Sequence, residues 1–508
     1  YDLSVLARAT ACSIHGLAGV PVMVEADIAN GLPNFTIVGL TDRAIQEAHE
    51  RVRASIRNAG FEFPQRRLTV NLAPAEVPKE GTGFDLAIAM AILCLDNRAL
   101  RLEGHSFIGE LALDGSVRPV TGVLPMARCL RAAGVRRLAV AEENAAEAAL
   151  VDSLEVVGVS SLQRCVGHLD GSAPLPAATP GASAHVDETT DIAEVRGQEQ
   201  AKRALEIAAA GGHNLLMVGP PGSGKTMLAR AFCSLLPDLD NEESLEVAAL
   251  YSLRGALRER PPTATRPPFR APHHSVSRAG LIGGGSGLAR PGEISLAHHG
   301  VLFLDEVCEF PRSHLEGLRQ PLEEREVSVV RARGAVLFPA DFVLVAAANP
   351  CPCGHLGDET GCSCSRRALG EYASRLSGPI RDRIDLVIDV PRQRFGDLFE
   401  GAAGDSSATV RERVWRARAV QGERNPAPRR RRSRNAALDG RTLQDTAAAT
   451  PEATHLLALA GERMHLSARG FFRVLRVART IADLRRSATV GASDVAEALR
   501  YRGEAASS

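Results

Sequence analysis

Gly219-Pro220-Pro221-Gly222-Ser223-Gly224-Lys225-Thr226 follows the apolar run Asn214 to Val218 and opens a stretch of helical spacing. Strand, glycine-rich turn and helix start in that order form a phosphate cradle. Glycines let successive backbone N–H groups turn toward phosphate oxygens, and the helix N-terminus adds its partial positive charge. Lys225 is expected to reach the outer phosphates and Thr226 to offer a hydroxyl to Mg²⁺, which makes ATP the expected ligand. A plain Gly/Pro turn is the alternative; the lysine, the threonine and the flanking strand weigh against it. Downstream, Val301 to Leu304 and Phe342 to Ala347 are further short apolar runs separated by helical segments. That is the pattern of buried parallel strands with crossover helices.

Nucleotide hydrolysis needs a second element: one carboxylate to hold Mg²⁺ and one to orient the attacking water. Val301-Leu302-Phe303-Leu304-Asp305-Glu306 supplies both at the end of an apolar strand, Asp305 for the metal and Glu306 for the water. The third strand ends at Asn349, placed to bridge that water and the terminal phosphate, although Asn-Pro is also a common turn opener.

Working outward, the chain has 508 residues, 45% hydrophobic, with 60 Lys+Arg against 60 Asp+Glu, enough for several cores. Zero formal net charge gives no global reason to bind a polyanion, so any DNA contact must come from local basic clusters. The longest apolar run, Leu86 to Leu95, is about half of the ~20 residues that span a bilayer, and no charged-then-apolar leader opens the chain. The expectation is a soluble cytoplasmic protein without membrane contact. Gly171 to Thr190 is rich in Gly, Ser, Ala, Pro and Thr and reads as a linker. Upstream, residues 1–170 form a mixed α/β domain: Val20 to Ile28 and Leu68 to Leu72 alternate like strands, and Asp42 to Ala59 and Asp85 to Leu95 have helical spacing. Residues 191–392 form the α/β core, and 393–508 a helical domain interrupted by a basic loop at 425–435. The run Arg429 to Arg432 with Arg434 lacks aromatics for base stacking and reads as nonspecific phosphate attraction or a solvated loop.

Four of ten cysteines fall close together as Cys351-x-Cys353 and Cys362-x-Cys364, enough for tetrahedral Zn²⁺, with His355 a substitute ligand. Gly354, Gly357 and Gly361 permit the tight folding that two short arms demand, whereas buried unliganded cysteines are the competing reading. The doublets His273-His274 and His298-His299 are expected to be structural or interfacial, since adjacent side chains diverge. Glu326 to Val330 and Ala335 to Phe338 flank Arg331-Ala332-Arg333-Gly334 and read as a hairpin.

The central block resembles the AAA+ ATPases, in the branch related to magnesium-chelatase motor subunits, through Phe269-Arg270-Ala271-Pro272-His273-His274-Ser275, Gly283-Gly284-Gly285, Arg290 to Val301 and Asn349-Pro350-Cys351-Pro352-Cys353-Gly354. With its N-terminal domain the chain is similar to the ComM/YifB family nearly throughout. The resemblance implies a P-loop α/β core with a C-terminal helical lid, in a ring of usually six subunits with ATP at their boundaries. It implies an arginine finger at Arg383 acting on the neighbouring subunit's nucleotide, with Arg381 or an intrasubunit salt bridge to Asp382 or Asp385 as alternatives. It makes Arg469 the lid's sensor arginine, with Arg473 and Arg476 as competitors, and turns the Arg331/Arg333 hairpin, or the loop from Ala279 to Arg290, toward DNA in the ring's channel.

Pro78-Lys79-Glu80-Gly81-Thr82-Gly83 and Phe107 to Gly122 resemble the ribosomal-S5-like proteolytic domain of Lon proteases. Gly83 stands where that pattern requires serine and Leu124 where it requires lysine, so no peptidase is expected, and Lys79 reads as a surface residue. The activity implied is ATP-driven movement on single-stranded or branched DNA: branch migration of recombination intermediates in natural transformation. A metal-insertion motor and a protein remodeller are the alternatives.

Overall fold

The computed structural model describes residues 5–39, 43–97, 100–181, 190–257, 259–261, 263–285, 289–331, 334–357, 361–393, 404–425 and 433–502. Residues 182–189 of the expected linker, the run Arg429 to Arg432 and Arg333 therefore lie outside the described residues, and of Arg331 only the backbone is described.

The chain is α/β throughout its first two parts. The N-terminal part is built on a seven-stranded mixed sheet, in the order Asn34–Val38, Arg67–Ala73, Ala18–Ala29, Val5–His15, His105–Ile108, Arg137–Ala141, Glu155–Val159. The helix Asp85–Asp96 is apolar nearly all round and buried along almost its whole length, as such a helix must be. Gly83 is flanked by Ile108 and Val120, and Leu124 is fully buried, so the surroundings are apolar where a serine-lysine dyad would sit. Lys79 corrects the sequence reading. It is fully buried, its Nζ donating to the carbonyl of Pro74, and burial pushes its ammonium below the usual range.

The central part holds a five-stranded, all-parallel sheet in the order Phe269–Arg270, Val301–Leu304, Val343–Ala348, Leu215–Val218, Leu386–Asp389. Its side chains alternate between two cores. Leu216, Leu302, Leu304, Leu344 and Ala346 face one, and Leu215, Met217, Phe303, Val345 and Ala347 face the other. Because both faces are covered, the strands read in sequence as unbroken apolar runs.

The second face carries the helices Glu199–Gly211 and Lys225–Leu235 and the C-terminal helices Ser407–Arg424, Pro451–Arg463, Ala468–Leu484 and Ala492–Arg500. Their seating is polar as well as apolar. Asp483 accepts from Arg424 at 2.8 Å through both oxygens, from Asn435 at 2.8 Å and from the fully buried Arg479 at 3.1 Å.

The first face meets the N-terminal part directly. Ile14, Val123, Leu124 and Leu130 share a core with Leu250 and Leu253 of the helix Asn241–Arg254. The Gly122 N–H donates to the Ser252 carbonyl at 3.1 Å, and Arg128 pairs with Glu242 at 2.9 Å.

Candidate nucleotide site

The phosphate loop leaves the sheet where the chain order reverses: its strand, Leu215–Val218, lies between Val343–Ala348 and the last strand, Leu386–Asp389. In open α/β sheets, ligands bind at such a switch point, beyond the carboxyl ends of the strands. The loop must pass close to Val390, whose carbonyl oxygen would lie 2.2 Å from a Cβ at Gly219, so a side chain there is excluded. Gly222 (φ +77°) and Gly224 (φ +91°) adopt left-handed backbone facing open space, and the helix Lys225–Leu235 starts directly behind them.

Lys225 is buried, and its Nζ donates to the carbonyls of Gly219 at 2.6 Å and Pro220 at 2.8 Å and to Asn349 Oδ1 at 3.3 Å. Burial pushes its ammonium downward, against the pull of Asp305 and Glu306. The Thr226 hydroxyl donates to Asp305 Oδ2 at 2.8 Å. Glu306 turns away from the strand in left-handed backbone (φ +48°), its carboxylate half exposed and Oε2 3.8 Å from His274 Nδ1. The structure thus gathers Lys225, Thr226, Asp305, Glu306 and Asn349 around one open cradle.

That cradle suits a nucleotide and its metal. Ser223 Oγ is buried without a hydrogen-bond partner, the glycine turn is open, and a hydroxyl and a carboxylate already converge where a hard cation takes oxygen ligands.

Arg383 and Arg469 are not there. Both line a cavity of about 510 Å³ at the opposite, amino-terminal end of the sheet, together with Arg325, Arg473 and Arg476. Arg383 pairs with Glu323, a partner sixty residues away that the sequence reading missed in favour of Asp382 and Asp385. Asp382 instead takes Arg473 at 3.4 Å. Arg381 is exposed, beside Arg312 and Arg319, in a separate shallow pocket.

The four thiols of the cysteine cluster lie within 4.8 Å of one another, and His355 is not among that group. Cys351 and Cys353 are 3.3 Å apart, Cys353 and Cys362 3.6 Å, and Cys362 and Cys351 3.7 Å. Four thiolates about 2.3 Å from a common Zn²⁺ stand roughly 3.8 Å apart, so the donor set fits tetrahedral zinc.

The second histidine doublet does something else. His298 and His299 both direct Nε2 at Glu246 Oε2, at 3.2 and 2.9 Å. The Asp341 N–H donates to His298 Nδ1 at 3.0 Å, and burial pushes this ring down to about 4, so it is neutral with its proton on Nε2. That nitrogen has no lone pair for a metal, and the trio is a hydrogen-bonded strut between the helix Asn241–Arg254 and the carboxylate-bearing strand.

Models of the magnesium chelatase subunit ChlI match three parts of the chain: residues 24–144, residues 191–398, and, as its C-terminal domain, residues 404–502. The chain is 42% identical to the competence protein ComM of Haemophilus influenzae over 96% of its own length and 95% of that protein's. The chain belongs to the ComM/YifB family of magnesium-chelatase-like AAA+ proteins. YifB of Escherichia coli is likewise 42% identical over 96% and 95% of the two lengths, and an uncharacterised protein of Mycobacterium tuberculosis is 45% identical over 98% of both. A Lon protease of Rhizobium meliloti matches 34% of the chain at 26% identity. Membership implies ATPase activity and an oligomeric assembly. Among the described residues no helix is long and apolar enough to cross a membrane.

Proposed function

We propose that this chain is a cytoplasmic, ATP-driven motor that works as a ring of six copies on single-stranded or branched DNA, promoting branch migration of recombination intermediates in natural transformation. Residues 1–170, the linker 171–190, the core 191–392 and the lid 393–508 are its working parts. The observation that carries the reading is the gathering of Lys225, Thr226, Asp305, Glu306 and Asn349 in one cradle, in the same core as a two-stranded hairpin. Its strands Glu326–Arg331 and Gly334–Pro339 pair in register; Val327, Val329, Val336 and Phe338 pack into the core, while Val330 and Leu337, 78% and 56% exposed, lie on the opposite face. The likeness to a competence protein over nearly the full length points the same way.

In the proposed cycle Lys225 and the loop N–H groups of residues 219–226 hold the phosphates, and Thr226 and Asp305 hold Mg²⁺. The cation offsets charge on the transferring phosphate. Glu306 orients water, Asn349 bridges that water and the phosphate, and Arg383, with Arg469, reaches the nucleotide of a neighbouring copy. Arg331 and Arg333 grip backbone phosphates of DNA. Cys351, Cys353, Cys362 and Cys364 hold a structural Zn²⁺. The N-terminal domain has no peptidase role.

The test is the rate of phosphate release with single-stranded DNA, forked DNA and an unfolded polypeptide. Stimulation by DNA, greatest on forks, is the expected result. Stimulation by polypeptide alone would make the chain a protein remodeller. Indifference to all three would overturn the DNA reading in favour of a motor that drives a partner, as in metal insertion.

A further inference from the structure

The cysteine cluster is not a remote fold staple. It begins two residues after Asn349, with Cys351 fully buried directly behind the end of the sensor strand Val343–Ala348. Three residues on, Gly354 (φ +82°) packs so tightly against the phosphate loop that a Cβ would lie 2.6 Å from Pro221 Cδ. The second arm leads into the helix Arg366–Arg375, capped by Ser365. From there Arg375 donates to the Cys308 carbonyl at 3.1 Å and pairs with Glu309 at 2.9 Å, two and three residues past Glu306. The loop therefore adjoins Asn349 and touches the phosphate loop, and the helix that follows it reaches the segment that carries Glu306.

Apart from Cys351 and Gly354, the described residues of this loop are exposed or only half-buried, and Gly354, Gly357 and Gly361 all sit in left-handed backbone. Such a segment has little apolar surface of its own to order it, so its shape depends on what joins the thiols. Three of the sulfur separations, 3.3 to 3.7 Å, match thiolates gathered around one tetrahedral cation, the joining element the donor set fits.

We propose that a zinc ion on Cys351, Cys353, Cys362 and Cys364 is the brace that seats Asn349 and the phosphate loop, so that metal occupancy sets nucleotide binding and turnover. This rests on the zinc reading given above. With the metal in place, Gly354 backs Pro221 and holds the loop carbonyls where Lys225 finds them. The same anchor fixes Asn349 Oδ1 within reach of the lysine. Without it, the sensor side chain and the loop each gain freedom that the chemistry must then remove.

The experiment compares the full chain with Cys353→Ser/Cys362→Ser, Cys362→His and Gly354→Ala, measuring zinc content, circular dichroism, affinity for a fluorescent ATP analogue and phosphate release. About one zinc per wild-type chain is expected. The double serine variant should lose it, bind the analogue several-fold more weakly and turn over at least about tenfold more slowly, the scale of a small misplacement of reacting groups. Cys362→His, which restores a fourth ligand zinc accepts, should recover metal and turnover together. Gly354→Ala should keep its zinc and yet weaken analogue binding, since all four thiols remain while a Cβ strains the left-handed turn and presses on Pro221. Absence of metal from wild type would sink the zinc reading and the brace with it. Wild-type affinity and turnover in the metal-free variant would overturn the brace alone. If the double serine variant unfolds, Gly354→Ala decides: a folded, zinc-loaded protein with unchanged nucleotide affinity refutes the coupling.

Discussion

Replacing Lys225 and Glu306 separately should divide ground-state binding from turnover. The Lys225 ammonium is buried and directs its donors at Gly219 O, Pro220 O and Asn349 Oδ1. A phosphate must win those donors from the loop, so the net gain is that of one exchanged charge-assisted contact rather than three new bonds. Such a contact is worth roughly 1.5–3 kcal/mol, and Lys225→Ala is expected to weaken nucleotide binding about 10- to 150-fold. Glu306 keeps its half-exposed carboxylate beside His274 and pulls on Lys225 through its charge. Glu306→Gln preserves shape and removes the negative charge together with the ability to take up a proton, which puts the loss in turnover at about 10²- to 10⁴-fold while affinity is kept or slightly raised. Titration with a fluorescent ATP analogue gives the first quantity and phosphate release at saturating ATP gives the second. Wild-type turnover in Glu306→Gln would show that another group orients the water. A loss of affinity in Glu306→Gln as large as in Lys225→Ala would make the carboxylate a ground-state ligand and refute the division.

Mixed rings of Arg383→Ala and Lys225→Ala subunits should hydrolyse ATP faster than either variant alone, because some boundaries then join an intact arginine to an intact lysine. No recovery in demonstrably mixed rings would move the finger to Arg381, which is exposed, while Arg383 is held by Glu323. Burial pushes Glu147 up to about 7 against the interface with the helix Asn241–Arg254, so the fold favours its protonated form. Between the ordinary glutamate value near 4.5 and about 7 the folded chain holds the extra proton, and stability falls as pH rises through that window. The loss is on the order of 3 kcal/mol, which Glu147→Gln should remove from thermal unfolding curves; an unchanged pH profile in that variant would contradict it. Arg331→Ala with Arg333→Ala should leave basal ATPase intact and flatten the log–log salt dependence of DNA binding by about one unit per lost phosphate contact. Branch movement at the wild-type rate in that double variant would place the grip elsewhere.

Legibility followed the range of the interactions. The phosphate loop, the Asp305-Glu306 pair and the hairpin at 326–339 are written within a dozen residues each, in turn chemistry and alternation, and their elements were readable to within one or two residues. The central strands could be recognised as parallel because burial on both faces leaves no polar alternation. Lys79 was misread since its polar, glycine-containing surroundings look like surface, whereas the Pro74 carbonyl that accepts its hydrogen bond comes from a turn the local pattern does not announce. The Glu323 partner of Arg383 and the Glu246 anchor of two histidines were out of reach for a simpler reason: each pairing spans more than fifty residues. The contact of Gly354 with Pro221 has a trace in sequence, a glycine directly after Cys-Pro-Cys, yet nothing there says what the missing side chain avoids.

The placement of charge at the two ends of the parallel sheet bears on assembly. Lys225 lies past the carboxyl end of Leu215–Val218, while the Arg383 carbonyl accepts from Asn214 at its amino end, at 2.9 Å. Four residues of strand rise about 13 Å, with the loop beyond, and a side chain fixed to the sheet cannot cross that distance while both faces are packed. Arg383, Arg469, Arg473 and Arg476 therefore have no route to their own phosphate cradle, yet with Arg325 and Arg434 they line a cavity in which arginines outnumber the carboxylates Glu323, Asp341, Asp382 and Asp385. We infer that a second copy's cradle would face that cavity, its nucleotide adding negative charge where arginines are in excess and displacing Glu323 from Arg383. On this reading the isolated chain holds two halves of different sites. ATP would then tighten a ring by joining them, and hydrolysis would loosen it by removing the charge they share.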